Sequence, residues 1–314
     1  MNIFFFCSVV VLCAMSVSVV RAQTKRALVI GLGRQLDPKW GKINGDKDVP
    51  LVKEMLRRGG FKDKNIHALV NERATKAGMV DAFRQLASSC KRGDVVYVHY
   101  SGHGQQMRDV HNDEEDGLDE CWIPYDAYRS ACAEDRGDKH FSDDEVNSCL
   151  RAIRQKIGSQ GKLLVVIDAC HSGDATRGDH DEVVRGVEDV FNVVMSFFMG
   201  DRAKTNDRMT DRNNSKRALL NAHAQPLPEP WVTISACKSD EVNIEMRHPA
   251  VGKLTYALYT TLLDGGFVGS NAELMKCLRK FVNRHTESRS QHPEMTGDGQ
   301  YVYDVTDVLC VPRR

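Results

Sequence analysis

Apolar residues follow two alternating patterns along this chain. Five short, nearly continuous runs read as buried strands: RALVIGLG (26–33), NIHALVNE (65–72), VVYVHYSGHG (95–104), KLLVVIDACHSG (162–173) and WVTISACKSDE (231–241). Between them the apolar positions recur three and four residues apart. Val49, Val52 and Leu56 mark a helix stopped by Gly59 and Gly60, and Met79, Val80, Phe83 and Leu86 mark a second. FSDDEVNSCLRAIRQKIG (141–158) reads as a third, capped by Ser142, with Asp143, Asp144 and Glu145 in its first turn. KLTYALYTTLLDGG (253–266) and AELMKCLRKFVNRHTE (272–287) are two more, and DGQYVYDV (298–305) reads as a last edge strand. Continuous apolar strands alternating with helices predict an α/β fold, a mainly parallel sheet flanked by helices on both faces. Right-handed crossovers then gather the strand C-terminal ends on one edge, where such folds place their sites.

Two segments break the pattern. Asn2 to Val20 is apolar and uncharged, followed by Arg-Ala-Gln. Val20 and Ala22 fit the −3 and −1 places of a signal-peptidase site, which makes residues 1–22 a signal peptide and Gln23 the first mature residue. An uncleaved membrane anchor is the alternative. With cleavage, the mature chain is periplasmic or secreted, with no stable membrane association. From Thr176 to Pro230 the chain turns polar, with one apolar patch, VFNVVMSFFMG (190–200), and this stretch reads as a long mobile insertion carrying one helix. Residues 23–314 then form one domain, with 25–176 and 231–314 as its two parts around an insertion at 177–230.

The 314 residues carry 43 basic and 43 acidic side chains, a balance that argues against a nucleic-acid partner held by bulk charge. Ten cysteines become eight after cleavage, with no Cys-x-x-Cys pair to suggest a metal or redox motif. The GLGR turn lacks the third glycine of a dinucleotide fingerprint, Leu36 standing in its place.

Two of the strands end in reactive groups. The third ends in YSGHG, setting His103 between Gly102 and Gly104; the fourth ends in DACHSG, setting Cys170 two residues after Asp168. On neighbouring strands, both side chains emerge at the same edge. An imidazole beside a thiol makes a nucleophile at neutral pH, and the amides of Gly104 and Cys170 would hold an acyl oxyanion. Strand alternation sends Asp168 to the same side as Cys170, and a buried carboxylate needs a partner.

YVHYSGHG and VIDACHSG together resemble the caspase-like cysteine peptidases, in particular the metacaspases and their bacterial relatives. RALVIGLG, INGDKDVPLVKEMLRRGGF, DDEV and TISACKSDE fall where that family has counterparts, so the likeness spans roughly Lys25 to Gly265 outside the insertion. It implies a caspase-like three-layer fold, with His103 and Cys170 as a catalytic dyad that hydrolyses peptide bonds through a thioester. It also implies that Asp168, Ser101 and Asp48 bind Arg or Lys at P1 of protein or peptide substrates, where caspases themselves select Asp. The acidic loop DVHNDEEDGLDE suits a hard cation, and the resemblance adds Asp119, Asp143 and Asp144 as calcium ligands. The fourth ligand place holds Arg177, which opposes a cation, and a solvated loop beside a capped helix is the plainer reading; no cofactor is required. A peptidase cutting after basic residues would find substrate in its own insertion, and Lys216 or Arg217 is the expected point of self-cleavage. Rivals are a clostripain- or gingipain-like peptidase of other specificity, an inactive caspase-like binding module, and a flavodoxin-like redox protein.

Overall fold

The computed structural model describes residues 23–109, 117–170, 182–187, 189–192, 231–264, 267, 269–286, 290–297 and 303–309. A six-stranded sheet runs through the molecule. Its central strands are β1 (Lys25–Gly31), β3 (Val95–Ser101) and β7 (Lys162–Asp168), with β2 (Ile66–Val70) and β8 (Val232–Ser235) outside them. All of these pair in parallel. The edge strand β11 (Glu294–Gly297) is antiparallel to β8. The edge strand therefore lies before the segment read from sequence as one. Of residues 298–305, Tyr303 and Asp304 are irregular and Val305 opens a short helix, the remainder lying outside the described residues. The β11 run is four residues of mixed polarity, too short for periodicity to reveal.

Side-chain alternation divides the core between the two sheet faces. Ala27, Val29, Val95, Tyr97, Leu164 and Val166 face one side with helix α1 (Gly45–Arg58), α4 (Lys253–Tyr259), α5 (Asn271–Arg284) and α6 (Val305–Leu309). Leu28, Ile30, Val96, Val98, Leu163 and Val165 face the other with α2 (Lys76–Ser89) and α3 (Asp143–Ile157). Each such fully buried side chain contributes roughly 1.5–3 kcal/mol, so the central strands tolerate no polar residue unless it is paired. α3 starts in a full capping box, Ser142 Oγ accepting the Glu145 amide and the Glu145 carboxylate accepting the Ser142 amide.

The polar insertion is only partly an excursion. Glu182–Val187 and Asp189–Asn192 lie across the C-terminal edge of the sheet, joined by isolated bridges Gly104↔Gly186, Met107↔Phe191 and Val184↔Ile244. Valines and a phenylalanine spaced through a charged background hide these bridged segments from a reading based on mean polarity. Residues 171–181 and 193–230 lie outside the described residues, as do the signal segment 1–22 and the helix expected in 190–200, beyond Asn192. Among the described residues no helix is long and apolar enough to cross a membrane, and the seven described cysteines are unpaired.

Candidate active site

β3 and β7 are neighbours, and their last residues, Ser101 and Asp168, are register partners. His103 and Cys170 each follow by two residues, at the same edge of the sheet. The His103 turn is fixed from below. Tyr100 Oη donates to the His103 carbonyl oxygen at 2.6 Å and accepts the Ile123 amide at 2.9 Å. Its hydroxyl would stand 2.5 Å from any Cβ at position 102, so this turn needs a glycine.

His103 is 2% exposed and packs against Trp40, ring centroids 5.0 Å apart. Its Nε2 lies 2.8 Å from the Gly41 carbonyl oxygen. A carbonyl only accepts, so Nε2 carries the proton and Nδ1 keeps its lone pair. That Nδ1 is buried without a hydrogen-bond partner among the described residues. Burial pushes the imidazole down to about 4, outweighing the Gly41 hydrogen bond, with Arg185 and Arg129 repelling a second charge. Near neutral pH the ring is a neutral base. Cys170 is buried, and the Cys237 side chain is hydrogen-bonded to it; that contact and burial hold the Cys237 thiol well above its ordinary value.

Behind these groups lies an acidic pocket. Asp168 Oδ2 accepts the Thr255 amide at 2.8 Å and its hydroxyl at 2.6 Å, and Oδ1 accepts Asn243 Nδ2 at 2.8 Å. Asp48 Oδ2 accepts Ser101 Oγ at 2.8 Å, and Oδ1 accepts the Gly252 amide at 2.9 Å. Because Ser101 gives its proton to Asp48, His99 Nε2 must donate to Ser101 Oγ at 2.9 Å, and His99 Nδ1 accepts from Tyr97 Oη at 3.0 Å. Glu245 completes the set, held by the backbone amide and side-chain amide of Asn44.

The pocket is filled from within the chain. Arg185 Nη1 lies 2.7 Å from Asp48 Oδ2 and 3.3 Å from Asp168 Oδ1, and Arg185 Nε lies 2.9 Å from Glu245 Oε1. Burial disfavours the Arg185 charge, but the three carboxylates raise its affinity for the proton above that of a free guanidinium. Burial likewise works against Asp168, yet Arg185, Thr255 and Asn243 hold it below the usual carboxylate range. Asp48 goes the other way: burial and the neighbouring Asp168 push it up to about 6 despite Arg185. One cation cannot neutralise three buried acids, and Asp48 carries the excess.

The carbonyl oxygen of Arg185 accepts the amides of Gly104 at 3.1 Å and Cys170 at 3.2 Å. The two amides assigned from sequence to an oxyanion thus converge on one oxygen. Asp48, Ser101 and Asp168 are brought together at this site. Glu245, Asn243, Thr255, Gly41 and Arg185 escaped the sequence reading, since they come from segments far apart in the chain, Thr255 from helix α4 and Glu245 from a two-residue strand. One signal was there: an arginine among valines ahead of a glycine, VVRGV, inside a mainly polar segment.

Asp119, Asp143 and Asp144 do not make a comparable group. Asp119 and Asp143 both bear on the buried Cys121 thiol, which they and burial hold well above its ordinary value. Among the described residues, no three His, Cys, Asp or Glu side chains converge as a metal cage. Residues 110–116 of the acidic loop lie outside the described residues, and no step below passes through a metal. Arg177, Lys216 and Arg217 lie outside the described residues.

The family model described as "Caspase domain" (Peptidase_C14) matches residues 24–300. Metacaspase-1 of Candida albicans is 26% identical over 308 residues, covering 87% of this chain and 64% of that protein. Metacaspase-2 of Arabidopsis thaliana is 35% identical over 158 residues, 48% of this chain and 34% of that protein. This chain thus spans less than two thirds of the length of these relatives. A crystal structure of a Geobacter sulfurreducens protein superposes with a TM-score of 0.59 at 22% identity, over 91% of this chain and 96% of the other. Caspase-1 of Spodoptera frugiperda superposes with a TM-score of 0.55 at 11% identity, over 88% of this chain and 86% of the other. With its fold, its histidine and cysteine strand ends and a family match over most of its length, the chain belongs to the caspase-domain peptidase family.

Proposed function

We propose that this chain is a cysteine endopeptidase that cuts after Arg or Lys. The observation that carries the reading is the lodging of Arg185, its guanidinium among Asp48, Asp168 and Glu245 and its carbonyl between two amides, one of them that of Cys170. A basic P1 side chain of a substrate would take the same carboxylates through charge-assisted hydrogen bonds. His103 Nδ1, with its free lone pair, takes the Cys170 thiol proton as sulfur attacks the carbonyl carbon, and the Gly104 and Cys170 amides hold the oxyanion. The imidazolium then protonates the leaving amine. Water, deprotonated by the same nitrogen, hydrolyses the thioester. Gly41 keeps the ring in the tautomer that leaves Nδ1 available. Activity that does not need added calcium, and export with Gln23 as the first mature residue, are further parts of the proposal.

Fluorogenic peptides differing only at P1 test it, run with EGTA and with Ca²⁺. Turnover confined to Arg and Lys, abolished by Cys170→Ala, is the expected result. Preference for another P1 residue would move the chain to a peptidase of clostripain- or gingipain-like type with different selectivity. Failure of a basic peptidyl chloromethylketone to label Cys170 would instead leave an inactive binding module. Amino-terminal sequencing of the exported chain reads the Gln23 boundary.

A further inference from the structure

We propose that this enzyme also reads its substrates on the carboxyl-terminal side of the cut, taking an apolar residue at P2′, an acidic one at P4′ and an aromatic one at P6′. The inference rests on the proposed peptidase reading and adds a second recognition surface to the same site. Arg185 stands where a P1 residue would stand, its guanidinium among three carboxylates and its carbonyl oxygen on the Gly104 and Cys170 amides. The residues after it therefore lie along the path open to a substrate, with Val187 at P2′, Asp189 at P4′ and Phe191 at P6′. That path follows β4 (Gly104–Arg108), with parallel bridges Gly104↔Gly186 and Met107↔Phe191. The Phe191 amide donates to the Gln106 carbonyl oxygen at 2.7 Å, and Gln105 Nε2 donates to the Asp189 carbonyl oxygen at 2.7 Å. Gln105 is itself held, its Oε1 accepting His140 Nε2 at 2.8 Å and its Nε2 also reaching the Arg129 carbonyl oxygen at 3.1 Å. A buried amide needs a partner for each proton, so a substrate that takes this path must offer a backbone carbonyl at P4′.

Side chains are read differently at each position. Val187 and Phe191 are buried in an apolar cluster with Trp40, Met107, Cys121 and Ile123, apart from the two sheet faces. Trp40 joins this cluster to the reacting groups, since the same ring packs on His103. The far end is closed by His140, whose ring centroid lies 4.2 Å from that of Phe191. Asp189 instead is partly exposed, its carboxylate 2.7 Å from Arg129 Nη2. Burial of a whole phenylalanine side chain outweighs a partly exposed ion pair, so P6′ is read more strictly than P4′. A guanidinium that only filled the acidic pocket would need nothing from the chain six residues further on. Backbone donors and side-chain pockets set side by side are what an extended peptide requires of a groove.

Internally quenched peptides test it, all with Arg at P1 and with Gly at P1′, where a Cβ would lie 2.5 Å from Cys170 Sγ. The reference peptide carries Val, Asp and Phe at P2′, P4′ and P6′, and single changes put Ser at P2′, Lys at P4′ or Ser at P6′. Ratios of kcat/KM are taken on one enzyme preparation, so any cost of displacing the enzyme's own chain from the cleft is common to all peptides and cancels. Ser at P6′ should lower kcat/KM about 10-fold or more and Ser at P2′ about 5-fold, with Lys at P4′ costing about 3-fold. Arg129→Glu should reverse the P4′ order, favouring Lys over Asp, while the losses at P2′ and P6′ stay. Should that variant not fold, Arg129→Gln should level Asp and Lys. Equal kcat/KM across the set, on an enzyme that still demands Arg or Lys at P1, overturns this inference and leaves the proposed function standing. An Asp preference at P4′ untouched by either change at Arg129 also overturns it. Cutting after another residue, or of no peptide at all, overturns both.

Discussion

Two groups of acids sit within the same domain and behave differently. Asp48, Asp168 and Glu245 are far apart in sequence, yet fold closure brings them around one guanidinium. Asp143 and Asp144 are adjacent and Asp119 lies on the strand Leu118–Trp122 ahead of them, yet no group of three metal ligands converges among the described residues. Asp119 is buried on its strand, whereas Asp143 and Asp144 share the first turn of α3, where Asp143 Oδ1 takes the Asp144 amide at 3.0 Å. Convergence in a dry pocket needs elements from different parts of the sheet edge, and it makes each acid depend on the same cation.

That contrast sets the order of expected effects. Asp168→Asn should be the most damaging, because it removes the acid that Arg185, Thr255 and Asn243 all address. Breaking a buried pair costs about 3–5 kcal/mol, read as a lower urea midpoint together with a fall of about 100-fold or more in kcat/KM on Arg-P1 peptides. Unchanged stability would show that the pocket does not hold the strand as a buried ion pair.

Asp48→Asn should separate the two losses. Its folded value of about 6 is raised above the unfolded one, so between pH 6 and pH 4 the folded state holds a proton that the unfolded state lacks. Ionised Asp48 thus costs stability at pH 7, and acidification removes that cost. The variant should lie within about 1 kcal/mol of wild type at pH 7 while losing about 10-fold in kcat/KM, and wild type should gain on it as pH falls to 5. Urea midpoints at both pH values measure this; a gap that moves the opposite way would mean Asp48 is stabilised as the anion.

In the other acid group the effects shrink. Ser142→Ala removes one half of a capping box and should cost about 1 kcal/mol without touching kcat/KM. Asp144→Asn should cost no more than about 0.3–1 kcal/mol through the helix dipole, with peptidase activity unaltered by EGTA in either form. Activity lost in the variant and recovered with added Ca²⁺ would restore the calcium reading.

Much of the fold was legible because its central strands are continuous apolar runs and α2, α3 and α5 open on side-chain caps. Ser142 predicted the start of α3 to the residue, and YSGHG and DACHSG marked two strand ends that pair in register. The strand through Arg185 was not legible. Val183 and Val184 are adjacent and Val187 follows Gly186, so they show no strand alternation, and the segment's average is polar; only the bridges to Gly104 and Ile244 reveal its course. β11 was missed for a related reason: an edge strand of four residues takes its identity from its neighbour, not from its own pattern.

By itself the sequence determined the parallel core and the placement of an imidazole and a thiol after two strand ends, because both follow from periodicity and turn residues acting over short range, while the sheet made those strands neighbours. Tertiary structure alone decided which acids meet, which tautomer His103 holds, and which basic residue fills the pocket. Those depend on burial, which turns weak long-range charge preferences into obligatory pairings only once water has been excluded.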